Sequence, residues 1–209
     1  MKNRASAIIL AAGKSQRMGE PKAFLPFDEM RCFAGKIAEE YYTFGIRDII
    51  FVTNKDLLAR FKRLEQQFTY LKTALNRRPE TGRFSSFLCG IQAASDFSRF
   101  YFIHNTDMPV FEQSLLNSLW ENRMKGDYIV PRNGGRGGHP ILINKTIGES
   151  AKNQQSRNIN FREFLSQFKK AYTNVQSETI HLNINTPDDY AAFLKSGGSN
   201  KPKAVDDSE

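Results

Sequence analysis

The residues with the clearest chemical potential lie in AAGKSQRMGEPK, positions 11–22, where Gly13 and Gly19 occur with three cations, Lys14, Arg17 and Lys22. Small residues let backbone N–H groups approach a phosphate chain, and the cations offset the charge of a triphosphate. By composition this is a phosphate-binding loop; the plainer reading is a solvated basic loop after a core strand. It contains GKS, but a Walker A loop needs a glycine where Ile8 stands. It does not match GxGxxG either. A second candidate is Asp107, which follows the run RFYFIHN. A lone carboxylate there can hold a Mg²⁺ that keeps several waters and takes phosphate oxygens from a substrate, or it can cap a helix beginning after Pro109. His139 follows the glycine-rich stretch NGGRGG, which reads either as a pocket-forming loop or as a hairpin with a packed histidine.

These residues have to be positioned by regular elements. AIILA (7–11), DIIFVT (48–53), RFYFIHN (99–105), DYIVP (127–131), HPILI (139–143) and TIHLNI (179–184) read as strands, several of them apolar on both faces. Helices are expected over 33–44, 55–68, 84–95, 112–125 and 162–169, with a last one starting near Pro187. Strands alternating with helices predict a single-domain α/β fold, a mainly parallel sheet with helices on both faces. In such a fold ligands bind beyond the carboxyl ends of the strands. Both the cationic loop and Asp107 come directly after strands. The domain is expected to span residues 1–195, and the tail from Ser196, SGGSNKPKAVDDSE, to be disordered.

The chain has 209 residues and a formal charge of +8, which favours anionic partners such as nucleotides without choosing among them. Cys32 and Cys89 each fall in a segment read as a packed helix, with no zinc-type spacing, so a reducing cytoplasm is the expected location. The longest apolar run, Ala7 to Ala12, has six residues, against about 20 for a membrane span. No membrane association is expected. The cations are spread over many segments without aromatic interleaving, so nucleic acid is not an expected partner either.

The run AIILAAGKSQRMGEPKAFLP closely resembles the signature LAxGxSxRMGxxKxLLP of the MobA-like NTP transferases, the nucleotidyltransferases typified by the molybdenum cofactor guanylyl- and cytidylyltransferases. TGRFSSFLCGI (81–91), TDMPVF (106–111), GGRGGHPIL (134–142) and NINTPDDY (183–190) resemble that family in the expected order. The resemblance covers residues 5 to 195 almost completely. It implies a Rossmann-like nucleotidyltransferase fold and transfer of a nucleotidyl group from an NTP to a phosphorylated acceptor with release of pyrophosphate. That chemistry needs positioning, a divalent metal such as Mg²⁺ and cations, but no obligatory general base or covalent intermediate. The lack of a clear Ser-His-Asp or Cys-His set agrees with it.

Residue by residue, the resemblance implies that Arg17 and Lys22 bind the triphosphate and stabilise the transition state, and that Leu10, Ala11, Ala12 and Gly13 form the nucleotide loop. Ser86, or Ser85 in its place, matches a nucleotide-contacting serine; N-capping of a helix is the alternative. Asp107 matches the metal ligand and Asn185 a second metal position, with Asn183 two residues earlier on the same face of the expected strand. Many relatives carry aspartates where this chain has NIN. Gly138 and His139 match an acceptor-side loop. The segment FDEMRCF (27–33) departs from the family's GKPLL-like continuation. LAAG at 10–13 favours CTP over GTP, and molybdopterin is the best-matching acceptor. A cytidylyltransferase for a sugar, polyol or alcohol phosphate, and a non-catalytic nucleotide-binding paralogue, remain the other readings.

Overall fold

The apolar runs pair into one twisted sheet whose two faces are both covered, as the alternation of strands and helices requires. The structure is a computed structural model that describes residues 2–13, 18–156 and 158–196. Among these, the strands are β1 (Ala5–Leu10), β2 (Ile49–Thr53), β3 (Leu71–Leu75), β4 (Phe100–Asn105), β5 (Tyr128–Asn133), β6 (Arg136–Gly137), β7 (Ile141–Asn144) and β8 (Lys170–Asn174). Their order is β3-β2-β1-β4-β7-β5-β6, with β8 pairing to β5. The pairs β1–β2, β1–β4, β2–β3 and β5–β8 are parallel; β7 and β6 run antiparallel to their neighbours. The expected mainly parallel sheet is therefore present.

The helices are α1 (Phe33–Phe44), α2 (Leu58–Gln67), α3 (Arg83–Ala93), α4 (Gln113–Glu121), α5 (Lys145–Lys152), α6 (Phe161–Ser166) and α7 (Pro187–Lys195). Successive strand residues point to opposite faces. Ala7, Ile9, Phe51 and Phe102 pack with α1, α2 and α4, whereas Ile8, Val52 and Ile103 pack with α3, α5 and α6. Strand β1 lies between β2 and β4, and its carboxyl end meets that of β4 through the Leu10–Asn105 pair.

A third, smaller cluster fixes what lies beyond those strand ends. Met18, Leu25 and Phe33 pack against Ile184 and Phe193, so the segment after β1 is tied to the C-terminal helix. Tyr190 strengthens the tie by donating its hydroxyl to the Pro26 carbonyl at 2.8 Å. The unusual segment FDEMRCF forms a closed turn: Asp28 Oδ1 accepts from the N–H groups of Met30 and Arg31, and Phe27 N–H donates to the Arg31 carbonyl. The chain then enters α1 at Phe33, with Cys32 in the N-cap position rather than inside the helix.

The expected strand over 179–184 is not formed. Glu178–His181 is a 3₁₀ turn capped by Ser177, and residues 182–185 are irregular. Ile180 is buried in the cluster beneath α1 and α4, while Ile184 is buried against Met18 and Phe33. The alternation of apolar residues thus serves two separate cores, and the edge of β5 is taken by β8 instead. Strands β3, β6 and β8 and helix α5 lie outside the elements expected from the sequence. From Gly197 onward the predicted tail lies outside the described residues.

The approach of α3 to the sheet sets a testable limit. A Cβ at Gly90 would lie 2.2 Å from Cγ2 of Ile8 and 3.1 Å from Cγ2 of Val52. Gly35 in α1 meets only Cys32 Sγ, at 3.8 Å. Overpacking costs about 1–3 kcal/mol, and alanine is up to about 1 kcal/mol better than glycine in a helix. Gly90→Ala should therefore lower the midpoint of urea unfolding, and Gly35→Ala should leave it unchanged or raise it.

Candidate functional site

A cleft of about 290 Å³ opens beyond the carboxyl ends of β1 and β4 and is lined by Leu10, Ala12, Gly13, Lys22, Ser86 and Asp107. Six positions singled out from the sequence therefore meet in one place. It is where an open α/β sheet binds ligands, at the point where neighbouring connections diverge to opposite sides. Ala11 is different: it is buried in the core shared with α1 and does not line the cleft. Arg17 and Lys14 lie outside the described residues.

Each lining group is held by a neighbour. Asn54, directly after β2, donates Nδ2 to the Ala12 carbonyl at 3.1 Å and accepts from Leu57 N–H. Asn76, directly after β3, donates Nδ2 to both Ser85 Oγ and Ser86 Oγ at 2.9 Å. The N-cap position of α3 is Gly82, with no side chain capping the helix. Ser86 is thus no N-cap; it sits one turn into α3 and faces the cleft. Ser85 Oγ donates to the Gly82 carbonyl at 2.8 Å.

Lys22 Nζ donates to Asn185 Oδ1 at 2.5 Å, across the seam made by the third cluster. Asn185 is anchored in turn by α7. Thr186 and Asp189 form a reciprocal capping box, and Asp189 Oδ2 also accepts from Asn185 N–H at 2.9 Å. Asn183 does not share this face: the segment is not a strand, and its Nδ2 donates to the His181 carbonyl.

Asp107 does not cap α4, whose N-cap position is Glu112. Its backbone carbonyl accepts from Ile184 N–H at 2.9 Å, which joins the β4 turn to the segment carrying Asn185. Oδ1 is shielded from water and has no hydrogen-bond partner among the described residues. Burial raises the carboxyl pKa, while Lys22 and Arg83 pull it down. Asp107 nonetheless borders the cleft, and a carboxylate there suits a hard divalent cation. Among the described residues no group of three His, Cys, Asp or Glu could enclose a metal. Phosphate oxygens and water would have to complete the shell.

His104, in β4, fixes the turn that carries Asp107. Its Nε2 lies 2.9 Å from the Met108 carbonyl and its Nδ1 3.0 Å from the hydroxyl of buried Tyr41. A neutral ring donating from Nε2 and accepting at Nδ1 satisfies both. Burial holds its pKa down at about 3.

A larger cavity of about 1130 Å³ adjoins the cleft and is lined by Gly138, His139, Tyr128, Phe161, Lys170 and Tyr172, among others. The hairpin leading into it turns at Gly134 and Gly135, whose φ values of 56° and 79° suit a type I′ turn. Gly138 is required by contact: a Cβ there would lie 2.3 Å from the Ile180 carbonyl oxygen. His139 N–H donates to that same carbonyl. The ring's Nδ1 is shielded and unpartnered, and burial, with the charge of Arg83, lowers its pKa to about 4. Arg83 lines both cavities. It is not among the positions singled out from the sequence, although it is the third residue of TGRFSS.

A protein-family model described as the MobA-like NTP transferase domain matches residues 7–171. The chain belongs to that family. It is 29% identical over 183 residues to the molybdenum cofactor cytidylyltransferase of Escherichia coli, covering 88% of this chain and 92% of the relative. It is 28% identical over 200 residues to a probable molybdenum cofactor guanylyltransferase of Carboxydothermus hydrogenoformans, covering 90% and 93%. A Mycobacterium tuberculosis protein of known crystal structure shares the fold with a TM-score of 0.76 at 18% identity, over 93% of this chain and 100% of that one. The same protein has been solved with manganese, with a TM-score of 0.71 at 16% identity over the same shares. This MobA-like chain is thus a nucleotidyltransferase in fold, with Leu10, Ala12, Gly13 and Asp107 on one cleft.

The two buried histidines predict a pH dependence. Both remain neutral in the folded state well below 6.5, whereas in the unfolded chain they take up a proton near that value. Unfolding therefore binds protons, and stability should fall as pH drops from about 6.5 to 4.5, by up to about 1.4 kcal/mol per pH unit per histidine. The raised pKa of Asp107 acts in the opposite sense, as one group against two. Urea unfolding at a series of pH values should show the loss, and His139→Gln should reduce its slope.

Proposed function

We propose that this protein transfers a cytidylyl group from CTP to a phosphorylated small-molecule acceptor, with molybdopterin the first acceptor to test, in the cytoplasm. The observation that carries this reading is the meeting of Gly13, Lys22, Ser86 and Asp107 in one cleft beside a second cavity bordered by Gly138 and His139. A phosphate monoester is already ionised at neutral pH, with its second pKa about 6. One of its oxygens forms a new bond to the α-phosphorus, and the bond to the bridging oxygen breaks as pyrophosphate departs with the electron pair. The protein has only to hold the two anions in line and offset their charge.

Lys22 supplies an ammonium at the cleft, and Arg17 a guanidinium from the same loop. Asp107 would hold a Mg²⁺, which when bound offsets charge on the phosphates; Asn185 would add a neutral oxygen on exchanging its bond with Lys22. Ser86 and the backbone at Leu10–Gly13 bind the nucleoside, and Ala12 narrows the base site toward a pyrimidine. Relatives named for cytidylyl and for guanylyl transfer are equally distant in sequence. The preference for CTP therefore rests on Ala12.

Pyrophosphate release with each NTP, Mg²⁺ and molybdopterin tests the reading. Turnover in Lys22→Ala should fall about 100- to 1,000-fold, the usual cost of removing one transition-state charge partner, with cooperative unfolding retained. Asp107→Asn should abolish metal-dependent release, and Asn185→Ala should keep activity that recovers in part at higher Mg²⁺. Full activity in Asp107→Asn would remove the metal assignment. Separately, kcat/KM should be higher for CTP than for GTP; the reverse order would show that Ala12 does not select the base.

A further inference from the structure

Among the described residues, only Gly82 and Arg83 line both the nucleotide cleft and the larger cavity. Arg83 is the first residue of α3, and it is exposed. Among the described residues it enters no ion pair. Its charge acts on Asp107 at the cleft and on His139 in the cavity. The larger cavity has two further cations, Arg162 and Lys170, but neither borders the cleft.

Those placements separate the roles the cations can play. Transfer needs the attacking oxygen about 3–3.5 Å from the α-phosphorus, so the acceptor's reacting phosphate has to lie where the cavities join. A phosphate held by Arg162 or Lys170 would lie away from that point. Two anions brought together there repel, and a planar guanidinium can bond one of them through two parallel N–H groups while offsetting both. We propose that Arg83 binds the reacting phosphate of the acceptor at the junction of the two cavities and thereby selects phosphomonoesters over their unphosphorylated counterparts. This rests on the nucleotidyl-transfer reading and adds to it the residue that recognises the acceptor's reacting group.

The test is binding of 4-methylumbelliferyl phosphate, an aromatic phosphomonoester, against 4-methylumbelliferone, its phosphate-free counterpart, by isothermal titration with the full chain. The wild type should bind the phosphate form at least tenfold more tightly. Arg83→Ala should lose that preference while binding 4-methylumbelliferone as before, and Arg83→Lys should retain part of it. In parallel titrations with Mg²⁺, Arg83→Ala should lose less affinity for α,β-methylene CTP or its GTP counterpart than for 4-methylumbelliferyl phosphate. Retention of the phosphate preference in Arg83→Ala, its absence in the wild type, or an equal loss of nucleotide affinity would each overturn the assignment. Failure of the wild type to bind either nucleotide analogue would instead overturn nucleotidyl transfer itself, and the role of Arg83 with it.

Discussion

A carboxylate with one oxygen shielded from water and unpartnered is costly unless positive charge stands near it, and Asp107 imposes that requirement on the structure around it. Lys22 and Arg83 meet it, one from the segment after β1 and the other from the start of α3. Neither cation belongs to the segment after β4 that carries Asp107. The fold must bring three separate segments to one point, and much of what surrounds the cleft serves that end. The cluster of Met18, Leu25, Phe33, Ile184 and Phe193 closes the chain's first thirty or so residues onto its last helix. The Ile184–Asp107 backbone bond and the Lys22–Asn185 bond then cross the seam that this packing creates.

Rigidity at the cleft comes from polar side chains placed directly after strands. Asn54 fixes the Ala12 carbonyl, Asn76 fixes Ser85 and Ser86, and His104 fixes the turn that leads to Asp107. All three are buried, so each must find partners or leave a desolvated polar group behind. Satisfying that demand locks the neighbouring loop. None of the three needs to touch a ligand to matter: Asn54 and Asn76 each hold a residue that lines the cleft, and His104 holds the residue next to Asp107. The apolar layers supply stability, and these buried amides and the imidazole convert it into a fixed geometry.

The sheet's centre was legible because β1, β2 and β4 are apolar on both faces, and the order of strands and helices then implied the layers. The short LKTAL of β3 and KAYTN of β8 carry little such signal, since each lies toward an edge and is partly exposed. Overlooking β3 had a consequence at the site, because Asn76 is the residue just beyond it. The rule that residues after strands carry the chemistry would have found Asn76, as it found Gly13 and Asp107. Residues 179–184 misled for the opposite reason: alternation normally marks one strand face, yet here Ile180 and Ile184 fill different cores. Arg83 was invisible in kind, since a cation at a helix start looks like any solvated residue until two cavities are seen to share it.

The net charge of +8 takes on a more local meaning in this setting. A uniformly basic surface would draw any polyanion, but a transferase for two anionic substrates must hold them together against their mutual repulsion. Cations at the junction do that only if they are kept from collapsing onto carboxylates of the protein itself. The shielded Oδ1 of Asp107 accepts no hydrogen bond from Lys22 or Arg83 among the described residues. Lys22 also donates to the neutral amide oxygen of Asn185, which helps to hold the ammonium at the cleft. The NIN sequence that departs from the family pattern is coherent with that placement: at position 185 the amide oxygen orients the cation without adding a further negative charge beside it.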